Sequence, residues 1–231
     1  FIMLNPRKGD MYKFIKYTWN PIKGKCLHDC SYCYMKQMNP NANPPRLAEY
    51  ELTTDLENGN KIFIGSSTDM FAENIPPEWI TRVLDYCNEK NNTDKPNTYL
   101  LQSKNPKRFL EFINHPIMKH VVFCTTIETN RFYPEIMNNA PKIEERVEAM
   151  EEIAKQGFPL LVTAEPLMQF DLEEMVALIK RCNPKWVNIG RNSCRSITLP
   201  EPTREEVQQL VSELKEFTKV NVKDNALIWT K

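Results

Sequence analysis

Cys26, Cys30 and Cys33 lie together in the run Gly24-Lys25-Cys26-Leu27-His28-Asp29-Cys30-Ser31-Tyr32-Cys33-Tyr34, a C-x3-C-x2-C spacing with an aromatic just before the third cysteine. Three thiolates on one short loop can hold three irons of a [4Fe–4S] cluster. Such clusters are normally held by four protein thiolates, so a set of three leaves one iron open to a small molecule. The competing chemistry is a structural zinc site, which asks for four ligands in tetrahedral array, usually as two closely spaced pairs. His28 is the available fourth ligand, but it sits between two of the cysteines and would strain so short a loop. No second Cys/His pair follows at zinc-finger spacing, and Cys87 is far along the chain. Thiolate-only ligation favours the cluster. The zinc alternative is a non-catalytic module that recognises nucleic acid or protein through a metal-bound loop.

The wider string from Thr18-Trp19-Asn20-Pro21 to Cys33-Tyr34 resembles the cluster loop of the radical S-adenosylmethionine (SAM) superfamily. It is most similar to the spore-photoproduct-lyase-like branch and to a group of uncharacterised, phage-associated radical SAM proteins. The resemblance implies a [4Fe–4S] cluster on Cys26, Cys30 and Cys33, with SAM chelated at the open iron. One electron, delivered by a flavodoxin- or ferredoxin-type donor, would then yield methionine and a 5′-deoxyadenosyl radical. It also implies a (β/α)6 partial TIM barrel with a parallel sheet, the cysteine loop following the first strand. Tyr32 resembles the family's aromatic near adenine.

A loop of this kind needs a scaffold. The chain has 231 residues, 41% hydrophobic and 26% charged, which fits one soluble globular domain spanning 1–231. Lys plus Arg and Asp plus Glu both number 30, so there is no overall basic field to draw in nucleic acid. No apolar run approaches the ~20 residues that span a bilayer, and no secretory leader is visible. Seven cysteines, three of them clustered, fit a reducing cytoplasm with a metal site better than a disulfide framework.

Short β-branched runs alternate with amphipathic stretches, which predicts βα units and a parallel sheet, α/β in class. The strand candidates are 14–19, 61–65, 98–102, 121–127, 160–164 and 186–190. The helix candidates are 77–90, 106–113, 142–156, 172–182 and 203–218, with 47–56 the only place for a helix between the first two strands. Pro77 suits a helix start, Asp171 an N-cap and Gly157 a stop. The pattern fits either a doubly wound sheet or a partial barrel. Both put ligands at the carboxyl ends of the strands.

Polar residues crowd those ends. The second strand runs into Gly65-Ser66-Ser67-Thr68-Asp69, where the resemblance, by position only, implies contact with the methionine amino group of SAM; a local serine turn is the alternative. After the third strand comes Lys104, which the resemblance places on the SAM carboxylate. Thr126 and Glu128 end the fourth, and a carboxylate there can accept ribose hydroxyls. Glu165 follows the fifth strand and must have a partner or a ligand, since an unpaired buried carboxylate is costly. Gly190, after the sixth, would admit a flat ligand such as adenine. The lyase-like enzymes use a cysteine near the second strand as hydrogen-atom donor; this chain has Gly65-Ser66 there, and Cys194 is the candidate substitute. Trp19, Tyr34, Arg131, Phe132 and Tyr133 are candidates to stack a nucleobase. His115 and His120 read as cap or surface residues.

Overall fold

The computed structural model describes residues 2–9, 11–194 and 196–230. Its centre is an eight-stranded sheet. The strands, in chain order, are β1 (Asn5–Pro6), β2 (Tyr17–Trp19), β3 (Lys61–Ile64), β4 (Thr98–Gln102), β5 (Val121–Thr126), β6 (Leu160–Ala164), β7 (Trp186–Ile189) and β8 (Lys219–Val222). They lie in the sheet in that same order. β1 pairs antiparallel with β2, and every other pairing is parallel. Sequential order has no reversal point, so the doubly wound alternative falls away. The two edges, β1 and β8, do not pair with each other, so the sheet is open. The mixed α/β class with a largely parallel sheet is therefore as the sequence indicates.

Strand alternation sorts the core into two layers. Ile62, Ile64, Tyr99, Leu101, Phe123, Val162, Val187 and Ile189 pack into the main cluster with the helices. Phe63, Leu100, Cys124 and Leu161, on the other face, meet Tyr12 and Ile15 from the segment that leads into β2. Residues two apart on a strand share a face, which is why one sheet serves both clusters.

The helices are α1 (Tyr34–Met38), α2 (Pro77–Lys90), α3 (Pro134–Met137), α4 (Ile143–Lys155), α5 (Leu172–Arg181) and α6 (Arg204–Lys215). α2 starts with Pro at its first turn. α6 opens with a capping box, the Thr203 hydroxyl accepting from the Glu206 amide (3.2 Å) and the Glu206 carboxylate from the Thr203 amide (2.7 Å). Asp171 stands at the N-cap of α5 but makes no cap bond. Its carboxylate is drawn instead to Arg131, at 2.7 and 2.9 Å.

Four expectations change. The first strand is only Tyr17–Trp19, because the preceding residues turn into the sheet's second cluster. Residues 106–112 form a 3-10 helix held by the buried Arg108, whose Nη1 donates to the carbonyls of Ala72 (2.6 Å) and Ile75 (2.9 Å). The stretch 47–56 yields a short strand, a 3-10 turn at Glu49–Thr53 and another short strand rather than a helix. Lys219–Val222 adds a seventh parallel strand beyond the six expected.

Candidate metal centre and the strand-end surface

The cysteine loop leaves β2 through Asn20 and a short hairpin (Ile22–Lys23 against Arg46–Leu47) and settles over the carboxyl ends of β3, β4 and β5. Gly24 opens it. A Cβ at Gly24 would stand 2.5 Å from the Pro44 carbonyl oxygen and 2.7 Å from the Pro45 Cα, so only glycine fits where the 43–45 segment crosses. Cys30 is buried, Cys26 and Cys33 are half-buried, and all three are free thiols. A recess of about 350 Å³ opens beside Cys26, bordered by Lys25, Asp29 and Pro44. Burial pushes the Cys26 thiol up to about 12, with the Asp69 charge adding to it. Burial likewise raises Cys30, against the pull of Lys104.

Two buried carboxylates fasten the loop. Asp69 lies beyond β3. Burial pushes its carboxyl up, but His28 and the Lys104 and Phe71 amides outweigh that and hold it below the ordinary range. It is therefore ionised, and His28 Nε2 donates to its Oδ2 at 2.8 Å. The same oxygen accepts from Ser103 Oγ and the Lys104 amide, each at 2.9 Å, while Oδ1 takes the Phe71 amide at 2.9 Å. Glu128, beyond β5, is fully buried. Its Oε1 accepts from the Tyr32 hydroxyl and from Lys104 Nζ (2.9 Å), and its Oε2 from Arg146 Nη1 (2.8 Å). Burial would raise this carboxyl; Arg146 and Lys104 hold it at about 2. Lys104 Nζ also sits 5.3 Å from the Tyr32 ring centre, a cation–π distance.

Asn20 organises the turn after β3. Its Oδ1 accepts from Ser66 Oγ (3.2 Å), Ser67 N (3.0 Å) and Ser67 Oγ (3.0 Å). The Tyr34 hydroxyl donates to the Ser66 carbonyl at 2.7 Å, pinning the far end of the cysteine loop to the same turn. Gly65, Ser66, Ser67, Lys104 and Glu128 thus gather around the loop. Glu128, however, turns no free oxygen outward to a ribose.

The remaining candidates lie beyond β6 and β7. Thr126, Thr163, Asn188 and Asn221 form one register row across β5 to β8. Two residues further along stand Glu128, Glu165, Gly190 and Lys223. Glu165 meets Lys223 Nζ at 2.6 and 2.8 Å. A Cβ on Gly190 would be 2.8 Å from the Glu165 carboxyl carbon, so the space over this glycine is filled by Glu165. Cys194 is buried, its sulfur 2.9 Å from Gln37 Nε2 of α1 and 3.5 Å from Ser196 Oγ.

Among the nucleobase candidates, Trp19 is wholly buried and donates to the Glu51 carbonyl, so it is a core residue. Tyr34 and Phe132 are exposed. His115 caps the 3-10 helix Pro116–His120, as expected.

The sequence reading missed Asn20, Arg146 and Lys223 as site residues, and placed Asp69 in the turn after the second strand without giving it a role of its own. Arg146 left a signal: it stands on the apolar stripe of α4 with Ile143, Val147, Met150 and Ile153, and a charge there demands a buried partner. Asp69 left a weaker one, a carboxylate just past a buried strand.

The donor set on the loop, three free cysteines, is of the type that holds an iron–sulfur cluster. Among the described residues, no three His, Cys, Asp or Glu side chains converge to hold a single metal ion. His28, the fourth zinc ligand considered, donates from Nε2 to Asp69, and its Nδ1 has no hydrogen-bond partner.

A family model described as "Protein of unknown function (DUF5131)" matches residues 11–200. The chain belongs to the DUF5131 family. No curated protein matches it. Among solved structures, a spore photoproduct lyase variant superposes with a TM-score of 0.65 at 9% identity, covering 96% of this chain and 81% of that one. A second lyase variant, with bound AdoMet and dinucleoside spore photoproduct, gives 0.55 at 10% identity, covering 94% of this chain. SuiB of Streptococcus suis, bound to S-adenosylmethionine, gives 0.54 at 8% identity over 89% of this chain. The DUF5131 chain spans 66% of the length of that second lyase chain and 49% of SuiB. At these identities the likeness is one of fold, and it reaches the branch whose cysteine loop the sequence resembles.

Proposed function

We propose that this DUF5131 protein is a radical SAM enzyme. One observation carries the reading: a three-cysteine loop is braced by Asp69 and Glu128 over the carboxyl ends of parallel strands, in a fold shared with structures that bind AdoMet. The sequential strand order supports a (β/α)6-type partial barrel, with one further strand at its edge. Cys26, Cys30 and Cys33 would hold a [4Fe–4S] cluster. When bound, the cluster and SAM supply reductive cleavage of the sulfonium to a 5′-deoxyadenosyl radical, which takes a hydrogen atom from substrate.

The chain's own residues bind and orient. Lys104, tethered between Glu128 and the Tyr32 ring, presents its ammonium to the SAM carboxylate. Ser66 and Ser67, set by Asn20, offer hydroxyls to the amino group. Tyr32 walls the adenine side. Glu128, enclosed with both oxygens engaged, holds Lys104 and Tyr32 in place. Thr126, Glu165 and Gly190 border the adenosine and substrate side. Cys194 is the hydrogen-donor candidate, sheltered beside α1. Two features favour a nucleobase or nucleotide as substrate: the exposed Tyr34 and Phe132, and the dinucleoside carried by a structure of the same fold. The electron donor would be a flavodoxin- or ferredoxin-type protein in a reducing cytoplasm; all seven cysteines are free thiols. No helix among the described residues is long and apolar enough to cross a membrane.

Anaerobic purification tests the class. The expected protein is brown, absorbs near 400 nm as iron–sulfur charge transfer does, holds about four irons and four sulfides, and releases 5′-deoxyadenosine from SAM with dithionite. A colourless zinc protein that leaves SAM intact would overturn the reading. Mass spectrometry after incubation with nucleosides and oligonucleotides tests the substrate class.

A further inference from the structure

The inner side of the cysteine loop is tied to Asp69 and, through Tyr32, to Glu128, and Cys30 is buried. The outer side is open. Cys26 lines the recess of about 350 Å³ there, with Leu27, Pro44, Pro45 and Asn139 among its walls, and none of the residues assigned above to SAM borders it. The walls are fixed. The Lys25 amide donates to the Asn43 carbonyl at 2.8 Å. Asn139 donates to the Leu27 carbonyl from Nδ2 and to the His28 carbonyl from its amide, each at 3.0 Å. Charge is concentrated around this mouth. Residues 20–46 hold four basic side chains, Lys23, Lys25, Lys36 and Arg46, and one acidic one, Asp29, in a chain of net charge zero. Lys23 is matched by Glu51 at 2.6 Å. Lys25 and Lys36 share Asp29, at 3.7 and 3.0 Å. Arg46, exposed and opposite Lys23 in the hairpin, has no carboxylate partner among the described residues. Glu73, next to Asn74 of the recess, turns to Asn105 Nδ2 at 3.4 Å. A small apolar patch beside Cys26 thus has a positive rim.

We propose that this recess is the docking surface for an acidic one-electron carrier protein, and that the electron reaches the centre from the Cys26 side. The inference rests on the radical SAM reading above and deepens it by giving the reductant a place on the surface. In the step the carrier loses one electron and the cluster gains one; no bond is made or broken at the interface. A carrier has to bring its own redox group close to the cluster, and the recess puts a ligand sulfur's residue at the surface on a side that SAM and substrate do not need. Redox encounters use small interfaces. Complementary charge supplies their on-rate and orientation more than their affinity, and a wall that is already fixed lowers the cost of docking.

The molecule carries its own control. A second recess, of about 610 Å³, is lined by Lys185, Lys215 and Lys219 at the amino ends of β7 and β8, the opposite end of the sheet from the cysteine loop. The test measures 5′-deoxyadenosine release from SAM by the reconstituted protein with two reductants, photoreduced flavodoxin, an acidic carrier, and dithionite, which needs no docking surface. Three proteins are compared: wild type, Lys25→Glu with Arg46→Glu, and Lys185→Glu with Lys215→Glu, which makes the same change in charge elsewhere. At an ionic strength of about 0.02 M the first double variant should be about tenfold slower with flavodoxin and unchanged with dithionite, and the second double variant should match wild type with both. At about 0.5 M, where charges are screened beyond ~4 Å, the flavodoxin rates of all three should converge. Equal flavodoxin rates at low salt, equal slowing in both double variants, or a gap that persists at high salt overturns the proposal while leaving the radical SAM reading intact. No 5′-deoxyadenosine from wild type with dithionite overturns both. If a variant fails to fold, the wild type decides alone: its flavodoxin rate must fall with salt more steeply than its dithionite rate, and parallel salt dependences overturn the proposal.

Discussion

Around β3 to β5 the polar groups at the strand ends are buried and tied to the cysteine loop. Around β6 to β8 they pair with one another and stay partly open. Asp69 and Glu128 each gather donors from the loop and from neighbouring strands. Glu165 meets Lys223, and Arg191 meets Glu201. Links from the second region to the first include the contact of Gln37 with Cys194 and Ser196, and the Met168 amide, which donates to the Glu128 carbonyl at 2.8 Å. Charges with low exposure and several partners define a geometry at high cost if broken; half-open pairs can rearrange around a ligand. Under the proposed function, the first region would hold the centre still and the second would receive the substrate.

The largest effect should come from Cys30→Ala. It removes a ligand from the rigid region, so 5′-deoxyadenosine formation from SAM and dithionite should be abolished while far-UV circular dichroism is unchanged. Full cleavage by that variant would break the ligand assignment.

Next is Glu128→Gln measured against Glu165→Gln. The first leaves the wholly buried Arg146 without its carboxylate, which should cost about 3–5 kcal/mol and lower the melting temperature by roughly 10 °C at this chain length. The second breaks a pair at a partly open position and should cost ~1–2 kcal/mol. Equal shifts would erase the distinction between the two regions.

Acid sharpens it further. A carboxyl held below its ordinary value stabilises the fold fully above that value and gives the contribution up as pH falls toward the folded-state value. For Glu128 this window runs from 4.5 down to about 2, and Asp69, also held low, adds to the slope. Denaturant titrations of the metal-free chain should lose stability across that window, and Glu128→Gln should flatten the curve.

The smallest effect belongs to Gly190→Ala. The added methyl meets the side chain of Glu165 rather than backbone, which can shift at the expense of its Lys223 contact, so about 1 kcal/mol is expected. Added to Glu165→Gln it should cost nothing more, read from the same melts.

Much of this was legible beforehand, for local reasons. α2 announces itself by its proline start and α6 by its apolar stripe, and the cysteine spacing speaks without any fold. β8 did not, because Lys219-Val220-Asn221-Val222 is a short edge strand with alternate residues exposed, and so lacks the continuous apolar run of a strand covered on both faces. The 3-10 character of 106–112 comes from Arg108 reaching carbonyls more than thirty residues away. The candidate site divides in the same way. Positions at strand ends follow from the alternation of elements, whereas partners such as His28 with Asp69 or Arg146 with Glu128 depend on closures no local pattern encodes.

The order of the strands has one more consequence. Each strand hands the chain to its immediate neighbour, so every crossing segment serves a single position along the rim. The segments after β6, β7 and β8 can therefore be lengthened, shortened or exchanged one at a time, with no thread of backbone dragged through the part that grips the cysteines. A molecule wound this way can change what it works on while keeping how it works.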